Sequence, residues 1–212
     1  MRGFSPTKLV DGAWLYGLVR YWENPRYSDL IRIYLEELGD IPADKNHVAL
    51  YRSLLARYGL DISGGIPDRF YAQGVMQLAL ACSAEYFLPE ILGFNLGYEQ
   101  LPLHLLITAY ALDALGVDPY YFTLYATVDN VKTGYALRTV RAMREALPRL
   151  RPYPGFWRHV PLGRRLSSAG VGTTKVIKGF SIEHEVMPIF LTKSQAGHGL
   201  QSDCCCIKWA YR

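Results

Sequence analysis

The helical segment 28–38 carries two adjacent glutamates that helical spacing places on different faces. With 3.6 residues per turn, Glu36 shares a polar face with Asp29 and Arg32. Glu37 instead continues an apolar stripe made of Leu30, Ile33 and Tyr34. A carboxylate on an apolar face is costly to bury unless a positive group meets it. We therefore expect Glu37 to be less exposed than Glu36, as a site residue or as the partner of an arginine at the helix edge.

Three other polar side chains also lie on apolar helical faces, namely His47, Glu99 and Asp129. His47 follows Glu37 by ten residues, across a short turn, so the two helices are expected to be antiparallel neighbours whose side chains converge. Carboxylates and histidines that project from several helices into a bundle core are the ligands of di-iron and di-manganese centres. The charge of the metal is what makes such buried carboxylates tolerable.

The elements that must position these side chains have the helical period almost throughout. Helices are predicted over about 6–22, 28–38, 44–59, 67–86 and 103–115, with another beginning near residue 89 and a long one from about 120 to 147. No stretch of useful length alternates with the period of two that is typical of strands. The sequence therefore predicts an all-α helical bundle.

Composition and charge exclude several classes of protein. Half of the 212 residues are apolar and 20% are charged, which is typical of a globular chain rather than a disordered one. The net charge of +4 is too small to indicate a nucleic-acid-binding protein, and no apolar run reaches the roughly 18 residues of a membrane span. No basic-then-apolar signal segment begins the chain. We expect a cytoplasmic protein with no nucleic-acid or membrane partner. A homodimer is one option for its assembly, since the sequence leaves the oligomeric state open.

The charge and the composition change near residue 150. Residues 138–178 contain ten Lys or Arg and one acid, a charge of +9, which leaves −5 for the rest of the chain. Prolines and glycines also cluster there. We therefore expect a helical core over 1–150, followed over 151–212 by a basic Pro/Gly-rich segment, one further helix at about 181–194 and a Cys-rich tail. The three cysteines at 204–206 are consecutive, unlike the spaced ligands of most metal sites.

The order and spacing of several short motifs resemble the iron-containing redox enzyme family, the haem-oxygenase-like di-iron oxidases. These motifs span about two thirds of the chain. They are Asp11-Gly12-Ala13-Trp14-Leu15, Glu36-Glu37-Leu38-Gly39-Asp40, Asn46-His47 with Leu50-Tyr51-Arg52, Leu88-Pro89-Glu90-Ile91-Leu92-Gly93 with Asn95-Leu96 and Glu99, and Tyr121-Phe122 with Val128-Asp129-Asn130 and Gly134. The resemblance implies a haem-oxygenase-like bundle that uses non-haem iron and O₂.

The same resemblance implies a set of metal ligands and also shows a departure from the family pattern. By position, Glu37, His47, Glu99 and Asp129 match family ligands. The family has a further histidine at position 125, where this chain has a tyrosine that can bind ferric iron as phenolate. A last histidine is expected at position 132 or 135, and Lys132 and Tyr135 stand there instead. Lys132, one turn from Asp129, could form a salt bridge where a metal would bind.

Two functions remain open from the sequence. The leading hypothesis is an oxidoreductase that uses one or two non-haem Fe²⁺ ions and O₂ to oxidise a small organic substrate such as an amine, an amino acid or a fatty acid. The alternative is a metal-free, catalytically degenerate bundle, with a truncated or altered C-terminus, that binds a ligand or a partner. The sequence does not name the catalytic residues.

Overall fold

The computed structural model describes residues 1–40, 45–60, 62, 65–99, 103–128, 134–147 and 154–198. Within these ranges all regular secondary structure is helical, which confirms the predicted all-α class. The α-helices are α1 (Ser5–Lys8), α2 (Ser28–Glu37), α3 (His47–Arg57), α4 (Ala72–Cys82), α5 (Leu88–Tyr98), α6 (Leu103–Ala114), α7 (Tyr120–Val128), α8 (Tyr135–Ala146), α9 (Pro154–Ser167), α10 (Thr173–Lys178) and α11 (Ile182–His198).

The first predicted helix, over 6–22, is wrong as a single element. Helix α1 ends at Lys8, and a 3₁₀ helix over Ala13–Tyr21 follows it. Gly12 separates the two with a φ of 78°, a left-handed conformation that glycine adopts without strain. A Cβ at this position would lie 3.1 Å from the Cβ of Glu37, so the glycine also lets this turn approach α2 closely.

The long helix predicted from 120 to 147 is likewise two helices, α7 and α8. Gly134 precedes α8 with an extended backbone, φ −64° and ψ 167°, which no continuous helix can contain. The residues between the two helices, 129–133, lie outside the described part of the chain.

Two clusters of buried side chains form the interior. The larger joins the 3₁₀ helix to α2, α5, α8 and α9 and includes Trp14, Ile33, Phe94, Tyr135 and Phe156. The second joins α3, α6 and α7 and includes Tyr51, Leu54, Leu105, Phe122 and Tyr125. A buried hydrogen-bond chain crosses the larger cluster, from Trp14 Nε1 to Asn95 Oδ1 (2.8 Å) and from Asn95 Nδ2 to Thr139 Oγ1 (2.6 Å).

Helix α9 packs directly on α5, because glycines let the two backbones meet. A Cβ on Gly93 would lie 1.9 Å from the carbonyl oxygen of Val160, and a Cβ on Gly163 would lie 1.9 Å from that of Glu90. The first compact unit of the chain accordingly runs from Met1 to Thr174, past the position near 150 where the composition changes.

The second unit, Lys175–Arg212, contains α11, which includes Pro188 and covers the region of the one further helix predicted at 181–194. The cysteines at 204–206 lie outside the described residues. In the part of the chain that the structure describes, no helix has the length and apolar character needed to cross a membrane.

Candidate metal centre

Glu37, the last residue of α2, is turned into the interior as its helical phase predicts. Its exposed fraction is 1%, whereas the side chain of Glu36 is 19% exposed and forms ion pairs with Arg32 (3.0 Å) and Arg138 (2.7 Å). The arginine partners therefore belong to Glu36. Oε2 of Glu37 lies 2.6 Å from Nδ1 of His47, and Oε1 has no hydrogen-bond partner among the described residues. The predicted burial and the predicted contact with His47 are both confirmed.

His47 faces Glu37 because α2 ends and α3 begins at defined residues. After α2 the chain turns through Gly39 and Asp40, both with positive φ, and their amides bond back to carbonyls of the last helical turn. Asn46 is the N-cap of α3, and its Oδ1 accepts a hydrogen bond from Ala49 N (2.8 Å). His47 is thus the first residue of a capped helix, where its ring is buried.

Asp11 is a third potential ligand, which the sequence analysis did not identify as one. One oxygen of Asp11, one oxygen of Glu37 and one ring nitrogen of His47 all lie within 4.8 Å of one another, and all three residues are buried. Asp11 precedes the left-handed Gly12, so the turn that brings Gly12 against Glu37 also brings this carboxylate into the site. An Asp-Gly pair inside an apolar stretch was the sequence signal that could have found it.

Tyr125 is part of the site, as a hydrogen-bond donor. Its ring lies against that of His47, tilted by 35° with centroids 4.5 Å apart, and its hydroxyl donates to Asp11 Oδ2 at 2.6 Å. Burial, followed by the negative charges of Asp11, Glu37 and Glu99, raises the pKa of Tyr125 well above its usual value. The phenol therefore keeps its proton in this metal-free arrangement, and the role of Tyr125 as a phenolate ligand stays a prediction.

The structure describes some of the other predicted ligand positions and not others. Glu99 is buried just after α5, close enough for its charge to raise the pKa of both Tyr98 and Tyr125. Tyr135 is buried in the larger core cluster, whereas Tyr125 belongs to the second. Asp129 and Lys132 lie outside the described residues, so their predicted roles stay predictions.

Burial and the neighbouring carboxylates have opposite effects on the pKa of His47. Burial lowers the pKa of this imidazole, but the charge and hydrogen bond of Glu37 and the charge of Asp11 outweigh it, so that the pKa is raised above 6.5. The neutral imidazole is nevertheless the form that binds metal, and a divalent ion would replace the proton as the positive charge between the carboxylates.

The donor set fits a first-row transition metal. Carboxylate and imidazole ligands suit iron and manganese. The Oε1 atom of Glu37 is an acceptor buried without a partner among the described residues, a costly arrangement that a bound cation would relieve. The residues present are therefore compatible with an iron site.

A small cavity of about 100 Å³ is lined by Leu50, Ser53, Leu54, Arg57, Asp118, Tyr120 and Tyr121. The ring of Tyr121 is 5.8 Å from that of Tyr125, whose ring in turn contacts His47. Two tyrosine side chains therefore connect the wall of this cavity to the candidate metal centre.

Comparison with known proteins gives one match. The family described as iron-containing redox enzyme matches residues 1–161, about three quarters of the chain. No curated protein and no solved structure matches this chain. The family match supports iron as the metal and an iron-dependent oxidoreductase as the general class of function.

Proposed function

Because this chain belongs to the iron-containing redox enzyme family, we propose that it is a non-haem iron oxidoreductase that oxidises a small organic substrate with O₂. The observation that carries the proposal is the convergence of Asp11, Glu37 and His47 from three separate elements, with their ligand atoms within 4.8 Å of one another. An amine, an amino acid or a fatty acid is the proposed type of substrate.

In this proposal Glu37 and His47 bind the iron, Asp11 lies beside it, and Glu99 and Asp129 complete the site by resemblance to the family. Bound ferrous iron would supply the electron transfer to O₂ that substrate oxidation requires. The side chains of this protein orient the ligands and limit the access of water to the site. Tyr98 and Tyr125 hold the Asp11 carboxylate with hydrogen bonds of 2.9 and 2.6 Å. Tyr125 is buried and Tyr98 is partly buried, so that together they limit the access of water.

The test is metal analysis after anaerobic reconstitution with Fe²⁺. Wild-type protein is expected to retain iron, and Glu37→Gln is expected to lose it. Glu36→Gln is the matched control, since it changes the adjacent residue of the same helix in the same way, but this side chain pairs with arginines outside the candidate centre. Iron retained equally by all three proteins, or by none, contradicts the proposal. Oxygen consumption with panels of amines, amino acids and fatty acids then distinguishes the substrate types.

A second candidate function is a metal-free bundle that binds a ligand or a partner. It is favoured by the hydrogen bonds of Asp11, because both carboxylate oxygens already accept from donors within the protein. These donors are Lys8, Tyr98 and Tyr125. This function predicts no iron uptake by wild type and equal thermal stability with and without Fe²⁺. The reconstitution experiment therefore separates the two.

A further inference from the structure

Lys8, the last residue of α1, is a lysine that the fold buries beside the candidate metal centre. Only 7% of it is exposed, and its Nζ lies 3.0 Å from Asp11 Oδ2. The same nitrogen is 4.2 Å from the ring centroid of Tyr125 and 5.2 Å from that of Tyr98. Lysines are rarely this buried unless their charge is paired, and two aromatic faces with one carboxylate hold this ammonium in place.

We infer that Lys8 is a built-in counter-cation of this centre, which weakens its affinity for divalent metal. The inference rests on the proposed function and deepens it, because it assigns a residue that controls metal affinity at the same site. Two observations support it: the position of the buried ammonium, and the occupation of the Asp11 oxygens.

Lys8 provides the positive charge that neutralises Asp11 in the metal-free protein. A divalent ion held by Glu37 and His47 would lie beside this ammonium. Like charges repel strongly in the interior, because little water is present to screen them.

The acceptor positions of Asp11 are largely occupied, and Lys8 is one of the donors. Its Oδ2 accepts from Lys8 and Tyr125, and its Oδ1 accepts from Tyr98, so three of about four acceptor positions are taken. Oε1 of Glu37, by contrast, accepts none among the described residues. An ion therefore finds an open ligand in Glu37, whereas binding through Asp11 competes with Lys8 and the two tyrosines.

The experiment is a titration of the protein with Mn²⁺, a redox-stable probe, and anaerobically with Fe²⁺, with affinity as the readout. Lys8→Gln, which keeps a hydrogen-bond donor and removes the charge, is expected to bind either ion about tenfold more tightly than wild type, because a like charge next to the ion is gone. Lys8→Arg keeps the charge and is expected to bind with wild-type affinity.

The control is Arg20→Gln, which removes one positive charge from an exposed position of the 3₁₀ helix and should leave the affinity unchanged. A folded Lys8→Gln protein whose affinity rises less than fivefold overturns the inference. Should Lys8→Gln not fold, Lys8→Met, which keeps a long side chain without the charge, takes its place with the same expected rise. Binding that Glu37→Gln leaves intact contradicts the proposed function instead, and no binding in any variant contradicts both.

Discussion

Among the residues that the structure describes, two Glu–His pairs have the same chemistry and different surroundings. His47 with Glu37 is almost fully buried, with 3% and 1% of the side chains exposed. His159 with Glu90 joins α9 to α5, and its imidazole is 44% exposed. The first pair has a second carboxylate, Asp11, within metal-binding distance. A Glu–His contact is therefore a candidate metal centre only where the pair is buried and a further carboxylate lies within reach, as it does for His47 and Glu37.

Each glutamate also lies against a glycine, and these two glycines do different things. Gly163 is required by distance, since a Cβ there would overlap the backbone of Glu90. Gly12 is required mainly by its conformation, with a φ of 78° and a longer approach of 3.1 Å to Glu37 Cβ. The first glycine serves helix packing, whereas the second brings Asp11 into the site.

The largest expected effect separates the two histidines. His47→Ala is expected to weaken Fe²⁺ binding about a thousandfold, because loss of a supporting residue alone typically costs 10–100-fold and His47 is a proposed ligand. His159→Ala is expected to stay within twofold of wild type. Equilibrium dialysis under anaerobic conditions measures both, and similar losses in the two variants would break the comparison.

The next largest effect is on stability, through Gly163→Ala. An added Cβ would meet the Glu90 carbonyl oxygen at 1.9 Å, so α5 and α9 must separate, at an expected cost of about 3 kcal/mol in the free energy of unfolding. Gly172→Ala is the control, since a Cβ there meets no atom within 4 Å. Urea denaturation measures both. A loss below about 1 kcal/mol for Gly163→Ala would mean that the helices are not packed this closely.

Gly12→Ala is expected to cost about 2 kcal/mol, of which roughly half is the strain of a positive φ. The matched variant is Gly59→Ala, which has the same kind of backbone, φ 61°, but meets no atom within 4 Å. Gly12→Ala alone should also weaken Fe²⁺ binding several-fold, because the Cβ displaces Glu37 or Asp11. Equal stability losses and unchanged iron affinity in both variants would show that Gly12 has no role in the site.

The smallest effect is the pH dependence of stability in the presence of a chelator. Asp11 and Glu37 raise the folded-state pKa of His47 above 6.5, so the folded protein binds this proton more tightly than the unfolded chain does. The resulting stabilisation is complete below about pH 6.5 and is lost as the pH rises through the folded-state value. Thermal melts should show this decline in wild type and in His159→Gln, and not in His47→Gln. A decline that persists in His47→Gln assigns it to another group.

Helical periodicity was sufficient to predict much of this molecule, because a 3.6-residue period is a local property of the chain. It placed Glu37 inside and Glu36 outside, and it put His47 within reach of Glu37 across a short turn. It failed at Gly12 and Gly134, where a backbone conformation interrupts an otherwise continuous apolar pattern. The roles of Glu99 and Asp129 as ligands stay predictions.

The sequence by itself determined the all-α class, the phase of α2 and the Glu37–His47 contact, since each depends on residues close together in the chain. Only the tertiary structure decided that Asp11, Lys8 and Tyr125 meet at that contact. Tyr125 donates to a carboxylate 114 positions away along the chain, and no local pattern encodes such a distance. The left-handed turn at Gly12 and the packing of α7 on α3 bring these groups together, and with them the charge balance on which metal binding would depend.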